Sequence, residues 1–186
     1  MNRSDYLNDL RKKVRQIRND VQKDFYFLES SDLRNRPAEG KWNIIEVFDH
    51  VNIYQNHYAK SIAQGLEKAP ASSDDSVKLS WMGKRFIKMM EPQNGEIKRK
   101  MKTFKKTDPI LRAKEGFAID EKVVFQNFIK DIEFLEELIL EAYDKDISKI
   151  KVPTFIPIIK INIADAFGFN LAHTERHMLQ ARRILK

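Results

Sequence analysis

Apolar side chains recur at steps of three and four along four long stretches of this chain, the spacing that gathers them on one helix face. In the first stretch Leu7, Leu10, Val14, Ile17, Val21 and Leu28 carry the step, with Phe25 in the gap. This predicts a helix over residues 4–30, capped by Ser4 and broken by Pro37 and Gly40 in "LRNRPAEGKW". The second stretch, residues 43–66, has Asn43 as N-cap and Glu46 in the capping-box position. Its apolar stripe runs from Ile44 through Val47, Val51, Tyr54 and Tyr58 to Ile62, with polar His50 and His57 set among them.

A third helix is predicted over residues 121–143, capped by Asp120 and buried through Val124, Phe128, Ile132, Leu135, Ile139 and Ala142. The fourth comes after "KVPTFIPIIKI", whose prolines forbid helix and which allows a short extended piece near Ile158. It covers residues 163–185, with Asn162 as cap, Asp165 three residues on, and apolar surface from Phe167, Phe169, Leu171, Met178 and Ile184. Gly168 weakens that helix and is tolerable where another segment packs close. Between the second and third helices lie more than fifty residues, with a short amphipathic helix in "LSWMGKRFIKMME" that uses Leu79, Met82, Phe86 and Met89. The fold class expected is therefore all-α, a four-helix bundle with a long crossover between the second and third long helices.

Composition agrees with one globular domain spanning residues 1–186, 42% hydrophobic and 33% charged. No secretory signal or membrane span is recognisable, since the most apolar region is interrupted by Lys160, Asn162 and Asp165. The absence of cysteine excludes disulfides, thiolate ligands and a cysteine nucleophile, and the cytoplasm is the default location. The net charge of +7 is polarised. Residues 78–114 hold 12 Lys/Arg against 3 Asp/Glu, whereas residues 120–146 hold 3 against 9. The densest basic run, "EIKRKMKTFKK" at residues 96–106, can attract an acidic ligand, but a solvated face is its commoner role. With Phe104 as its single aromatic and no recognition motif nearby, it gives no case for a nucleic-acid partner.

The candidate chemistry lies in histidines. His173 and His177 stand four residues apart in "AHTERHMLQARRIL", one turn apart on one helix face, where both rings can reach one ion. This is not the metalloprotease HExxH. Thr174 occupies the second position, and Glu175 points about 200° away from His173. A third ligand has two candidates on the second helix, His50 and His57, about 10 Å apart along the axis, so one ion cannot use both. His50 has the more apolar setting, between Phe48 and Val51 and one turn beyond Glu46. Spacing alone prefers His50 only slightly.

"KWNIIEVFDHVNIYQNHYAKSI" resembles the signature of DinB-like proteins, in which a Trp opens the second helix and a His comes eight residues later. "LRNRPAEGKW" is similar to the usual approach to that Trp, and "HTERHMLQARRIL" resembles the family's second signature, His-x3-His succeeded by Gln and a basic, apolar end. The resemblance covers residues 4–66 and 153–185. It implies a four-helix bundle that binds a divalent metal cation, Zn or Ni first and Fe or Mn as alternatives, through His50, His173 and His177, leaving out His57. It also implies a class of activity, because relatives include bacillithiol- and mycothiol-dependent thiol-S-transferases, a mycothiol-dependent isomerase and hydrolases.

Three imidazoles leave such an ion open positions for water or a thiol. Thiol-S-transfer is the leading expectation, with a metal-dependent hydrolase or a catalytically silent metal- or ligand-binding bundle as alternatives. Glu46 is the candidate catalytic base by helical position, with capping as its competing role. Gln180 can orient a ligand or satisfy a neighbouring helix. The expected partner is a small-molecule substrate such as a low-molecular-weight thiol, with neither nucleic acid nor membrane; a homodimer is compatible with this picture. Residues 79–118, which carry Trp81, Phe86, Phe104 and Phe117, are expected to pack over or beside the open end of the site.

Overall fold

The computed structural model describes residues 1–185. Its helices are α1 (Arg3–Asp24), α2 (Ser30–Arg34), α3 (Ile44–Leu66), α4 (Trp81–Met90), α5 (Pro109–Lys114), α6 (Glu121–Glu141) and α7 (Ile163–Ile184). Four of them form the bundle. Helix α1 packs on α6 and α7, and α3 packs on the same two, so α1 and α3 stand diagonally opposed. The predicted stripes face inward: Leu7, Val21, Phe48, Ile62, Phe128, Ile139, Phe167 and Leu171 are buried together.

Helix starts match the predicted caps with one exception. Asn43 and Asn162 each form a capping box, with Glu46 and Asp165 respectively, and the Asp120 side chain accepts from Val123 N–H. At the first helix, however, the cap is Asn2, whose side chain accepts from Asp5 N–H. Ser4 is drawn away because its hydroxyl and its own N–H both donate to Asp75 Oδ1, at 2.8 and 2.9 Å. This helix also ends at Asp24 rather than near residue 30. Phe25 still enters the core, but Tyr26 and Phe27 turn out to solvent, and residues 30–34 restart as the separate α2. Tyr143, predicted inside the third helix, falls in a 3₁₀ turn over Ala142–Asp144.

The proline-rich segment forms a small hairpin. Strand β1 (Lys151–Pro153) pairs antiparallel with β2 (Lys160–Asn162), with Val152 opposite Ile161. Ile158 lies in the connection at φ 73°, fully exposed.

Helix α4 of the crossover docks on α7 with Leu79, Phe86 and Met89 of the expected face packed against the core, but Met82 departs from it. Gly83 and Met90 are buried while Met82 is exposed. The cause is close approach: a Cβ on Gly83 would overlap the Asp165 carboxylate. That carboxylate also accepts from Ser80 N–H at 2.9 Å and Ser80 Oγ at 2.6 Å, tying the start of α4 to the start of α7. Gly168 plays the complementary part, with Ile87 and the Tyr6 hydroxyl where a Cβ would stand. Among the described residues no helix is long and apolar enough to cross a membrane.

Candidate metal centre

Helices α3 and α7 pack side by side, and the turn of each that meets the other carries histidine. His50 on α3 and His173 and His177 on α7 are all buried. One potential ligand atom from each lies within 4.8 Å of the other two, close enough to share an ion. Ring centroids are 4.7 Å apart for His50 and His177, and 4.5 Å for His173 and His177.

Burial decides the charge of these rings. It pushes the His50 pKa down to about 4, against a smaller upward pull from the Thr107 carbonyl. Burial also holds His173 and His177 well below the ordinary value, with His177 and His50 lowering His173 further and His50 lowering His177. All three are therefore neutral near pH 7, the form that binds metals.

Their outer nitrogens fix two of the tautomers. His50 Nδ1 lies 2.7 Å from the Thr107 carbonyl oxygen, which can only accept, so Nδ1 donates and Nε2 keeps its lone pair. His177 Nδ1 donates in the same way to Gln180 Oε1 at 2.9 Å. His173 Nδ1 is buried without a hydrogen-bond partner. A set of neutral nitrogen donors, two with their outer N–H already engaged, fits a divalent metal ion.

Aromatic rings wall the cluster. Tyr54 stacks on His173 with centroids 4.2 Å apart and planes 26° apart, and Trp42 lies 6.3 Å from His177. Burial raises the Tyr54 pKa, so its phenol stays protonated and serves as a donor rather than a base. Together these groups floor a cavity of about 620 Å³. The crossover supplies another wall through Phe86, Met89 and residues 100–104, so part of the long insertion does lie over the site. Trp81 and Phe117, the other aromatics of that segment, are exposed and do not line the cavity.

Glu46 is placed elsewhere. Its Oε2 accepts the Asn43 N–H at 2.9 Å, its Oε1 pairs with Arg36 at 2.5 Å, and it does not line the cavity. His57 also stays apart, its ring packed against Phe155 with centroids 4.3 Å apart. Glu175 points away as its helical angle requires and pairs with Lys13 at 3.2 Å. Gln180 lines the cavity and holds His177.

Sequence reasoning missed Tyr54, Thr107 and Arg176 at this site. A signal existed for Arg176, which falls three residues after His173 on the same face of α7. None existed for Thr107, since nothing local says where the crossover lays that carbonyl.

Compared with known families, the chain matches the DinB superfamily over residues 14–181. No curated protein and no solved structure matches the chain. With a match that spans nearly its whole length, and with its helical bundle and buried histidine trio, the chain belongs to the DinB superfamily.

Proposed function

We propose that the protein is a metal-dependent enzyme that joins a low-molecular-weight thiol to an electrophilic small molecule. One observation carries this reading: His50, His173 and His177 come together as neutral donors on the floor of a cavity large enough for a small substrate. A divalent ion held there would lower the pKa of a bound thiol or water toward neutrality.

The chain's own groups do the rest. The Thr107 carbonyl and Gln180 hold two of the rings in the tautomer that presents Nε2 inward. Tyr54, protonated beside His173, offers a hydrogen bond to substrate or leaving group. Residues 100–104 and the aromatic walls limit access of water. In the transfer a sulfur–carbon bond forms as the leaving group departs, and the thiol proton passes to solvent. With no cysteine in the chain, the reacting sulfur comes from the cosubstrate. Glu46, with both oxygens engaged, keeps to its capping role here.

The test compares metal-loaded protein, a chelated control and the His177→Ala variant, each with monochlorobimane and a panel of small thiols. Faster conjugation by the loaded protein supports the reading. Equal rates in all three, across the panel, overturn it. Metal-dependent cleavage of aryl esters or amides instead would assign the site to hydrolysis, and metal binding without either activity would make it a binding protein.

A further inference from the structure

The cavity above the histidines carries a charge pattern that the metal alone does not require. Its lining includes Lys41, Lys100, Lys102, Arg176 and Arg183, and no Asp or Glu. Lysine and arginine elsewhere in this protein commonly find carboxylates: Arg36 pairs with Glu46, Arg112 with Asp49, and Arg182 with both Asp20 and Asp24. Among the described residues none of the five cavity cations makes such a pair.

Arg176 is the most telling of them. It is only 7% exposed, and its hydrogen bond goes to the main-chain carbonyl of Arg99, a neutral acceptor. A buried guanidinium without a counter-ion is costly, because neutral partners replace water poorly. It also adjoins His177 in sequence and lies one turn from His173, so the charge sits on the face of α7 that carries the histidines. The remaining lining is largely apolar, with Phe86, Met89, Phe155, Phe169 and Ile184.

We propose that the cavity is built for an amphiphilic anion, an apolar or aromatic body bearing a carboxylate, and that Arg176 seats the carboxylate. The guanidinium fork matches a carboxylate in two parallel hydrogen bonds, which neither an amide nor an amine can reproduce. Lys100, Lys102 and Arg183 add the field that draws the anion in. The anionic group then anchors the ligand within a helical turn of the histidines and sends its apolar body along the aromatic wall. This names the substrate class for the catalytic reading above and rests on that reading only for the chemistry after binding. Occupancy is measured without turnover, so either can fail alone.

Trp42 lines the cavity and reports on it once the exposed Trp81 is replaced by Phe. In that background 6-phenylhexanoate, 6-phenylhexanamide and 6-phenylhexylamine are titrated against the full chain, zinc-loaded and EDTA-treated. The expected result is carboxylate bound about tenfold or more tighter than amide in both forms, with the amine weakest. Arg176→Gln should reduce the preference to about twofold with amide affinity kept, while Arg176→Lys keeps part of it. Equal binding of carboxylate and amide overturns the proposal, as does a preference for the amine or no measurable binding of the carboxylate. A preference that disappears on chelation and survives Arg176→Gln also overturns it, because the metal would then be reading the carboxylate. Should Arg176→Gln lose amide binding too, Arg176→Lys decides: a retained carboxylate preference supports the proposal, and its loss overturns it.

Discussion

The indole of Trp42 lies 4.9 Å from the imidazole of His50, centroid to centroid, at the point where the chain enters α3. A fluorophore is thus in contact with one candidate ligand and close to a second. Metal binding should change its emission, and in a Trp81→Phe background the change should saturate at one equivalent of Zn. Replacing His50, His173 or His177 by Ala should abolish that tight equivalent, whereas His57→Ala should leave most of it. Elemental analysis of the same samples checks the count. Equal losses from His50→Ala and His57→Ala would remove the basis for choosing between them.

Gln180 offers a finer test of the site. Its side-chain oxygen fixes the tautomer of His177, and outer partners of this kind commonly contribute tenfold or more to metal affinity. Gln180→Ala should weaken Zn binding about tenfold in a competition titration against a chelating dye. The fold should be unaffected, as judged by circular dichroism.

Glu46 can be separated into its two roles by choice of replacement. Gln preserves the capping box but not the charge, so Glu46→Gln should leave metal-dependent turnover within about twofold. Glu46→Ala should cost about 1 kcal/mol of stability in urea denaturation, from the lost cap. A large fall in kcat with Gln, at unchanged stability, would restore the glutamate as a base.

The buried imidazoles make the metal-free protein sensitive to acid. Their folded pKa values are depressed, to about 4 for His50, while in the unfolded chain they return to about 6.5. Between those limits the unfolded state binds more protons, so stability should be level above pH 6.5 and decline as pH falls toward 4. Zn should stabilise most above that window, because protons and metal compete for the same nitrogens. Urea denaturation of the EDTA-treated protein from about pH 8 to about pH 4.5 measures the slope, and a flat profile would contradict neutral buried rings.

At Gly83 the prediction is steric. Ala there would drive a methyl carbon into the Asp165 carboxylate, so α4 must shift or the Ser80 hydrogen bonds must break. Gly83→Ala should cost about 1–3 kcal/mol in thermal denaturation. Gly116→Ala, in open space at φ +92°, probes backbone strain instead and should leave the contact between α4 and α7 intact.

What could be read from the sequence was what depends on neighbours along the chain. The caps at Asn43, Asp120 and Asn162 set their helices because the cap hydrogen bonds are local. Ser4 failed as a cap for a non-local reason, since Asp75 reaches it from a distant part of the chain. The His173 and His177 pair was readable because one helical turn separates the two. Spacing preferred His50 over His57 only slightly; the family resemblance pointed to His50, and it is His50 that packs beside the pair. At α4 Gly83 rather than Met82 meets α7 for a reason like that at Ser4, an acid on another element. Arg176 was visible as a charge on the correct face, but its lack of a counter-ion emerges only from the packed structure.

Thr107 holds His50 through its main chain, not its side chain. A mutation that changes the kind of residue at 107 therefore need not remove the acceptor, since every amino acid carries that carbonyl. Sensitivity lies instead in the length of the connection that delivers it. Insertions or deletions between α4 and α5 would move the carbonyl off the ring and free His50 to rotate. Under mutation the connection between α4 and α5 should be stricter in length than its irregular sequence suggests.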